Sequence, residues 1–553
     1  MILRAQTNFV KFLEQVLEVL KEVEIDKTEC STLLASIQKQ QLVIPVVGNF
    51  SAGKSTLLNR FLEKSVLLTA ITPETSLATE LHYSANERIE AFSNNDEKAE
   101  SFELNEQSFE VIKENAAEYS YLKVYLNNEA LKNSAPLVFV DMPGFDSPIS
   151  SHTHAILEYL ERGVHFVILT SAEEGNLTKR MVRELKNLLE FDKGLSFILS
   201  KTNLRTPSQV EENLSLYSRH YIQDQIQDHL DLTTHLIYSN KDNNALLEVA
   251  DKIDAEKLFS SLYLKRLKFL NSRLQNSLKS VIEGFDYSKE KALEEIKALD
   301  LGVKDIEKTY EKLRANLEEE YSSVAVGSVV KKVIKDVREQ KPYLALLINK
   351  PNELNSEIES IMQQSLIKNA KLEIEKINLS FSKDFHAEFE SLNNPQLSSD
   401  LSVNLEHRIE LGINALSVIL SKNPVTSPFA LILQGLKPLL KDLLTLLPNI
   451  INSFFRNEEK ERTKLENLIE VKVIPKVQHS LKKVLLGLFN EALENSLKSL
   501  KDRCELEITH KKQEIALAQT EKEKHLNDLE VQKQALENKI NALSDLEQQY
   551  LKD

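Results

Sequence analysis

The chain of 553 residues has only two cysteines, no tryptophan and no excess of basic residues. Cys30 and Cys504 are far apart, and neither lies in a Cys/His cluster with metal-ligand spacing. Neither a disulfide framework nor a zinc site is supported, so a reducing compartment is expected. The formal net charge of −15 argues against a nucleic-acid partner, because phosphate binding needs a basic face. A membrane partner stays open, because a small basic patch can act locally.

Long uninterrupted apolar runs are also lacking. Residues 1–20 alternate charged and apolar side chains, which predicts an amphipathic helix and not a signal peptide. A spanning helix needs about 20 consecutive apolar residues. We therefore expect a cytoplasmic protein without a signal peptide or a transmembrane helix, in contact with membrane only peripherally.

Glycine and proline are scarce and unevenly placed. Six of the twelve glycines lie between Gly48 and Gly194, and no proline occurs between Pro207 and Pro342 or after Pro475. Because both residue types interrupt helices, tracts poor in them predict long helices. We expect five parts: an amino-terminal helical segment, an α/β domain, a helical neck and trunk, an apolar segment, and returning helices (1–41, 42–250, 251–410, 411–456 and 457–553).

The α/β part contains eight short β-rich runs, several of them separated by helical patterns. Alternation of this kind predicts a mostly parallel sheet with covering helices. Pro45 lies inside the first run, although proline is unfavourable in a central strand. The runs are 43–47, 79–83, 88–92, 121–126, 137–140, 164–169, 196–199 and 236–238.

The strongest motif follows the first of these runs and precedes a helical pattern that opens at Thr56. It fits G-x-x-x-x-G-K-[ST], the phosphate-binding loop of P-loop NTPases. Glycines let successive backbone N–H groups point at phosphate oxygens, and the helix N-terminus adds its positive dipole end. The motif consists of Gly48, Asn49, Phe50, Ser51, Ala52, Gly53, Lys54 and Ser55. These residues and the following Thr56 are expected to bind the nucleotide.

Two residues of this loop have specific expected roles. Lys54 is expected to neutralise the β- and γ-phosphates, and the Ser55 hydroxyl is expected to ligate Mg²⁺. An apolar strand further along ends in Asp141-Met-Pro-Gly144, which fits D-x-x-G. We expect Asp141 to hold Mg²⁺ through water and the Gly144 N–H to approach the γ-phosphate. An ATPase strand of this kind also ends in Asp but lacks the following Pro-Gly.

Between these motifs, a switch loop needs a threonine that reaches Mg²⁺ and the attacking water. Thr75 is the first choice for this catalytic and metal-binding role, and Thr72 is the alternative. Residues 71–80 could also form only a proline-containing turn before a strand, and this alternative stays open.

A base-recognition element should follow a strand as N/T-K-x-D, but here it is S-K-T-N, with Lys201 and Asn203. The lysine stem can pack over the base plane. Asn203 stands where the usual aspartate accepts hydrogen bonds from both guanine N–H groups. An amide oxygen can replace only one of these contacts, so the binding free energy for guanine is expected to weaken by about 1–3 kcal/mol. A loop without any base contact is the alternative.

With these motifs in place, the chain resembles bacterial dynamin-like proteins, particularly the LeoA type. The resemblance rests on the P-loop from Gly48 to Ser55, on Asp141-x-Pro-Gly144 and on the long helical part. It implies GTP as substrate, a GTPase head on neck and trunk bundles, and a hydrophobic paddle at the trunk tip. It also implies that Ser51 stabilises transition-state charge. Phe50 stands where eukaryotic dynamins place a glutamine, so hydrolysis is expected to be slow or to depend on head-to-head self-association. The resemblance leaves open whether a second dynamin-like chain is also a partner.

Residues 411–456 are strongly apolar, with four basic residues and one acidic residue. Four prolines divide the segment, so it does not fit a spanning helix. A basic, apolar, proline-broken segment favours shallow insertion among lipid headgroups. A helical hairpin buried in the trunk or in a partner interface is the alternative. The residues expected to touch lipid are Phe429, Leu431, Ile432 and Leu433.

The carboxyl-terminal tract carries a heptad pattern at Leu529, Leu536, Leu543 and Tyr550. This predicts a short coiled-coil seam that packs in the neck or binds another chain.

Three functions follow from these patterns. The first is a dynamin-like GTPase that drives membrane binding and remodelling, for example fusion, fission or vesicle release. The second is a degenerate nucleotide-binding scaffold that acts through its helical part. The third is a coiled-coil ATPase, which would require a Walker B Asp-Glu pair and a signature motif near the carboxyl terminus. The region after Pro475 contains no glycine-rich signature of that kind.

Overall fold

A computed structural model describes most of the chain. The described residues are 3–49, 52–67, 77–93, 99–144, 162–173, 193–216, 235–238, 244–347, 470–471, 474–524 and 528–552, with isolated positions between 159 and 188 and between 350 and 380. Thr72, Thr75, Phe50, Ser51 and the whole apolar segment 411–456 lie outside the described residues.

The amino-terminal part of the described chain is an α/β domain built on nine strands. All eight strands predicted from the sequence are present, with ends that differ by at most two residues. The strand that was not predicted is the fourth, a four-residue edge strand. The strands are β1 (Leu42–Gly48), β2 (Ala78–Tyr83), β3 (Arg88–Ser93), β4 (Ala99–Phe102), β5 (Tyr119–Leu126), β6 (Leu137–Asp141), β7 (His165–Ser171), β8 (Gly194–Ser200) and β9 (His235–Tyr238).

The strands form one mixed sheet in the order β4-β3-β5-β2-β6-β1-β7-β8-β9. From β6 to β9 all neighbours are parallel, as expected. The antiparallel pairs are β2 with β6, β3 with β4 and β3 with β5. The parallel half delivers the carboxyl ends of β1, β6, β7 and β8 to one edge, which is where ligands bind in open α/β sheets.

Pro45 is tolerated in the central strand β1 because of a break in one ladder. The pairing of β1 with β7 runs from Val46 to Gly48, and before it there is only an isolated bridge between Val43 and Gly163. Proline has no N–H to donate to a ladder. Pro45 falls in the gap between the bridge and the ladder.

Among the described residues, seven helices precede or surround the sheet. Several begin at a side chain that accepts a hydrogen bond from the first turn, as good N-cap residues do; Asn244 Oδ1, for example, accepts from the Leu247 N–H at 3.3 Å. The helices are α1 (Arg4–Val19), α2 (Thr28–Lys39), α3 (Lys54–Phe61), α4 (Glu106–Glu114), α5 (Glu129–Ser134), α6 (Pro207–Leu216) and α7 (Ala245–Lys252).

The rest of the described chain is helical. Asp254 and Ser288 cap two of the long helices through hydrogen bonds to Lys257 and Lys291 N–H. The helices are α8 (Ala255–Phe285), α9 (Lys289–Ala315), α10 (Ser323–Glu339), α11 (Lys341–Leu344), α12 (Ile474–Lys524) and α13 (Leu529–Tyr550). The predicted fold class, an α/β domain followed by an extended helical region, is confirmed; its paddle-like tip lies outside the described residues.

The carboxyl-terminal seam packs within the chain, on α1 and α8. Leu543 is fully buried and Leu536 is 8% exposed, in one core with Phe12 of α1 and Leu267 of α8. Asn271 of α8 donates to the Leu543 carbonyl at 3.1 Å. Of the two alternatives for the seam, the structure contains the intramolecular one.

A second core joins α9, α10, α12 and helical positions between 354 and 377. Gly284 of α8 lies against Ala518 of α12, so closely that an added Cβ would come within 2.6 Å of the Ala518 Cβ. Among the described residues, no helix combines the length and the apolar character needed to cross a membrane.

Candidate phosphate-binding site

The loop between β1 and α3 has the geometry of a phosphate-binding loop in its described parts. β1 ends at Gly48 and α3 begins at Lys54. Gly53 has φ 91°, a left-handed conformation that favours glycine. Thr56 is exposed on the first turn of α3. The helix N-terminus therefore faces the mouth of the loop, where its unpaired N–H groups favour an anion.

Gly48 is required by a close backbone approach. A Cβ at this position would lie 2.3 Å from the Leu169 carbonyl oxygen of β7. Any side chain would therefore separate the end of β1 from β7, and the loop that follows would shift.

Lys54 lies inside this loop and is only 8% exposed. Its Nζ donates to the carbonyl oxygens of Gly48 at 3.1 Å and Asn49 at 2.9 Å. The ammonium group is thus held within the loop by two backbone carbonyl oxygens. Asn49 and Ala52 are also buried, and the Ala52 N–H donates to the Asn49 carbonyl at 3.2 Å.

Ser55 and Asp141 meet directly. The Ser55 hydroxyl donates to Asp141 Oδ2 at 2.6 Å, although the two residues are 86 positions apart. Asp141 Oδ1 is buried, and no described residue gives it a hydrogen bond. Burial raises the pKa of the Asp141 carboxyl, which the Ser55 hydrogen bond and the Lys54 charge offset only in part.

A buried carboxylate oxygen without a partner, next to a serine hydroxyl, is the donor set that Mg²⁺ prefers. The residues therefore fit a Mg²⁺ ion, which Ser55 would ligate directly and Asp141 would hold through water.

The turn after β6 keeps Gly144 near this position. The Met142 N–H donates to the Val46 carbonyl of β1 at 3.3 Å, and Pro143 and Gly144 are buried. The first residues after Asp141 are therefore fixed against β1, beside the phosphate-binding loop.

Ser200, at the end of β8, was given no role by the sequence beyond its place in S-K-T-N. Its hydroxyl contacts the Ala52 carbonyl of the phosphate-binding loop at 2.6 Å and the Thr170 carbonyl of β7 at 3.2 Å. Ser200 thus joins the loop between β1 and α3 to the segment that the sequence predicts to recognise the base. The small polar residue that opens this motif is the only sequence signal for the role.

The two residues that the sequence predicts to recognise the base, Lys201 and Asn203, lie just beyond Ser200. Lys201 has φ 55°, and its Nζ forms an ion pair with Glu173 at 2.7 Å. Asn203 is exposed in a short 3₁₀ turn from Thr202 to Leu204. The structure thus brings Lys201 and Asn203 to the edge that carries Gly48 and Asp141. Glu173 was not anticipated from the sequence, because it belongs to the loop after a different strand.

Comparison with known proteins identifies the class of this domain. Residues 44–200 match the family model described as the dynamin family. The sheet, the phosphate-binding loop and the Ser55–Asp141 pair define a P-loop nucleotide-binding domain. Over residues 44–200 the chain is similar to the dynamin family, and the resemblance to dynamin-like proteins is confirmed over that range.

One curated relative is an uncharacterised protein from the xynA 3′ region of Caldicellulosiruptor sp. (strain Rt8B.4). It is 22% identical over 214 residues, which cover 37% of this chain and 51% of the relative. The chain thus spans about half the length of that relative.

Two solved structures resemble the chain over most of its length. One belongs to an oligomerised bacterial dynamin pair, with 19% identity, a TM-score of 0.41, and coverage of 99% of this chain and 82% of that chain. The other is the LeoA bacterial dynamin GTPase from ETEC, with 13% identity, a TM-score of 0.29, and coverage of 93% and 98%. TM-scores below 0.5 do not establish a shared overall arrangement.

Proposed function

We propose that the chain is a dynamin-like large GTPase that hydrolyses GTP to GDP and phosphate and couples this to membrane binding and remodelling. The observation that carries the proposal is the contact of the Ser55 hydroxyl with Asp141 at 2.6 Å, beside the buried ammonium group of Lys54. Together they offer a positive charge for phosphate and oxygen atoms for Mg²⁺, which phosphoryl transfer requires.

Each residue has a proposed part in this reaction. Lys54 and the backbone from Gly48 to Ser55 hold the β- and γ-phosphates, with the start of α3 supplying further N–H groups. Ser55, Asp141 and Thr75 hold Mg²⁺, which neutralises developing negative charge when bound. Thr75 also orients the attacking water, and Ser51 stabilises the transition state. Little covalent chemistry is required of the protein, because positioning and electrostatics supply the catalysis.

We further propose that residues 42–250 form the catalytic head. Residues 1–41, 251–410 and 457–553 would form the neck and trunk, and 411–456 the membrane-contacting segment. The packing of α1 and α13 on α8, the helix that follows the α/β domain, supports a neck built from three separate parts of the chain. Self-association through the heads would complete the catalytic site, since Phe50 offers no group that orients water.

The base contact yields a prediction about specificity. Asn203→Asp is expected to tighten GTP binding by about 5- to 150-fold, the equivalent of about 1–3 kcal/mol, because a carboxylate accepts both guanine N–H groups. ATP affinity should not rise. Equilibrium titration with fluorescent GTP and ATP analogues measures both.

Asn86→Asp is the matched control, since it introduces the same charge on an exposed turn of the same domain. If Asn203→Asp and Asn86→Asp change GTP affinity equally, Asn203 does not contact the base.

The membrane part of the proposal rests on the composition of residues 411–456 and has its own test. Phe429→Ser combined with Leu433→Ser should weaken liposome binding about 100-fold or more, because inserting a large apolar side chain contributes about 1.5–3 kcal/mol. Flotation of the full chain with anionic liposomes measures this. The control is Leu293→Ser with Val324→Ser, which removes apolar side chains that are exposed by 53% and 65% outside this segment. Equal flotation of both double variants, or none by the parent, would contradict lipid insertion.

A further inference from the structure

Glu80 is a buried carboxylate in the middle of the sheet. It lies in β2 and is 1% exposed, and acidic residues are almost never buried without charged partners. Its Oε2 lies 2.8 Å from His82 Nε2 and 4.0 Å from Lys123 Nζ. Its Oε1 accepts a hydrogen bond from the Tyr159 hydroxyl at 2.9 Å and contacts the Arg162 guanidinium. We call these five residues the Glu80 cluster.

Tyrosine rings pack against the Arg162 guanidinium of the Glu80 cluster. The Arg162 guanidinium lies over the rings of Tyr121 and Tyr159, at 4.4 and 4.9 Å from their centroids. Burial raises the pKa of Glu80, but the His82 hydrogen bond and the charges of Arg162 and Lys123 outweigh burial and lower the pKa below its ordinary value. The carboxylate is therefore charged at neutral pH.

Stability alone is a weak reason for such a cluster. A buried ion pair often contributes no more than well-packed apolar residues of similar volume would, because the charges lose their hydration. Removing only one partner is costly, however, since the opposite charge then stays buried and uncompensated. The main effect of the Glu80 cluster is therefore to hold β2, β5 and the segment before β7 in one arrangement. Its contribution to the net free energy of folding is small by comparison.

The arrangement that it fixes lies directly beside the proposed Mg²⁺ site. β2 pairs with β6 at two positions only, Thr79 with Asp141 and Glu80 with Val140. Opposed residues share a face of the sheet and successive residues alternate, so Glu80 and Asp141 lie on opposite faces. Any influence of Glu80 on Asp141 passes through the backbone of this short pairing. On its other side, the Asp141 end of β6 is held by Val46 of β1.

Two members of the Glu80 cluster, Tyr159 and Arg162, come shortly before β7 in the chain. Tyr159 is fully buried, and the Gly163 N–H donates to its carbonyl at 2.7 Å. Gly163 in turn forms the isolated bridge with Val43 of β1. Glu80 therefore connects the strand next to Asp141 with the segment that precedes β7.

We propose that Glu80 is a positioning residue for nucleotide-bound Mg²⁺. Its ion pairs hold the start of β2 and the segment carrying Tyr159 and Arg162 in one arrangement, which keeps the Asp141 end of β6 in place. The inference rests on the proposed function for the identity of the reaction. The Mg²⁺ dependence of nucleotide binding tests it without any need for hydrolysis.

Glu80→Gln in the full chain is the direct test, because glutamine keeps the shape and one acceptor but removes the charge. The Mg²⁺ concentration that gives half-maximal tightening of fluorescent-GTP binding is expected to rise about 10-fold or more, as for residues that orient metal ligands. The kcat per bound nucleotide should fall by a similar factor. The affinity for GTP measured in EDTA should be unchanged, because the phosphate-binding loop is not altered. If Glu80 were needed only for folding, the folded Glu80→Gln protein would have the Mg²⁺ requirement and kcat of the parent.

Glu87→Gln is the matched control, since it removes a carboxylate from the exposed Lys64–Glu87 pair of the same domain. If Glu80→Gln does not fold, Tyr159→Phe is the second variant, since it removes only one hydroxyl from the Glu80 cluster. Its Mg²⁺ requirement should rise as well, but by less than in Glu80→Gln. A parental Mg²⁺ requirement and kcat in folded Glu80→Gln or Tyr159→Phe would overturn the inference. A parent protein that binds nucleotide with Mg²⁺ but releases no phosphate from GTP would refute the proposed function, while a shifted Mg²⁺ requirement in Glu80→Gln would still support the positioning role.

Discussion

Lys54→Ala is expected to raise the Kd for GTP about 100-fold or more, through the loss of two charge-assisted hydrogen bonds to phosphate at about 1.5–3 kcal/mol each. The Lys54 ammonium group lies within the loop, 2.9–3.1 Å from two loop carbonyls. Isothermal titration with GTP and Mg²⁺ measures the change.

Lys64→Ala is the control for this experiment, because Lys64 is an exposed lysine just beyond α3. It should bind GTP as the parent does. Thermal unfolding of both variants separates lost binding from lost folding. Parental GTP affinity in folded Lys54→Ala would show that the loop does not hold phosphate.

Asp141→Asn is the prediction with the second-largest expected effect. The substitution should lower GTPase activity and raise the stability of the metal-free protein. Activity and the affinity for Mg²⁺ should fall by about 10- to 100-fold, the usual cost of changing a residue that orients a metal. GTP binding in EDTA should change little. Phosphate release and Mg²⁺ titration at fixed nucleotide measure these quantities.

Stability without metal should rise in the same variant. The pKa of Asp141 is raised by burial, so the charged form is less favourable in the folded state than in the unfolded state. Stability linked to such a group is present at low pH and is lost as pH rises through the folded pKa. At neutral pH the neutral amide therefore removes a destabilising charge, and the midpoint of thermal unfolding in EDTA should increase. A lower midpoint together with an unchanged Mg²⁺ requirement would contradict the proposed role of Asp141.

Much of the sheet could be predicted from the sequence, because each strand is a short apolar or β-branched run bounded by turns. The edge strand from Ala99 to Phe102 could not, since it has four residues and two of them, Glu100 and Ser101, are polar. Pro45 conflicted with a central strand only because the sequence does not show that the β7 ladder starts at Val46.

The site could be predicted where its residues form one local motif and not where it depends on distant contacts. Gly48 to Ser55 form such a motif, since loop and helix follow each other in the chain. The Ser200 contact with Ala52 spans 148 positions, and the Lys201–Glu173 pair joins the ends of two strands. The Glu80 cluster combines residues from β2, β5 and the segment before β7. Local patterns give no information on such distances, which only the fold defines.

The most direct test is the steady-state release of phosphate from GTP and from ATP by the purified full chain, with and without Mg²⁺ and liposomes. If the loop from Gly48 to Ser55 holds a guanine triphosphate with Mg²⁺ at Ser55 and Asp141, GTP is hydrolysed only with Mg²⁺, faster than ATP, and faster still on liposomes. Hydrolysis of ATP with GTP left intact, or no release from either nucleotide, would contradict the account.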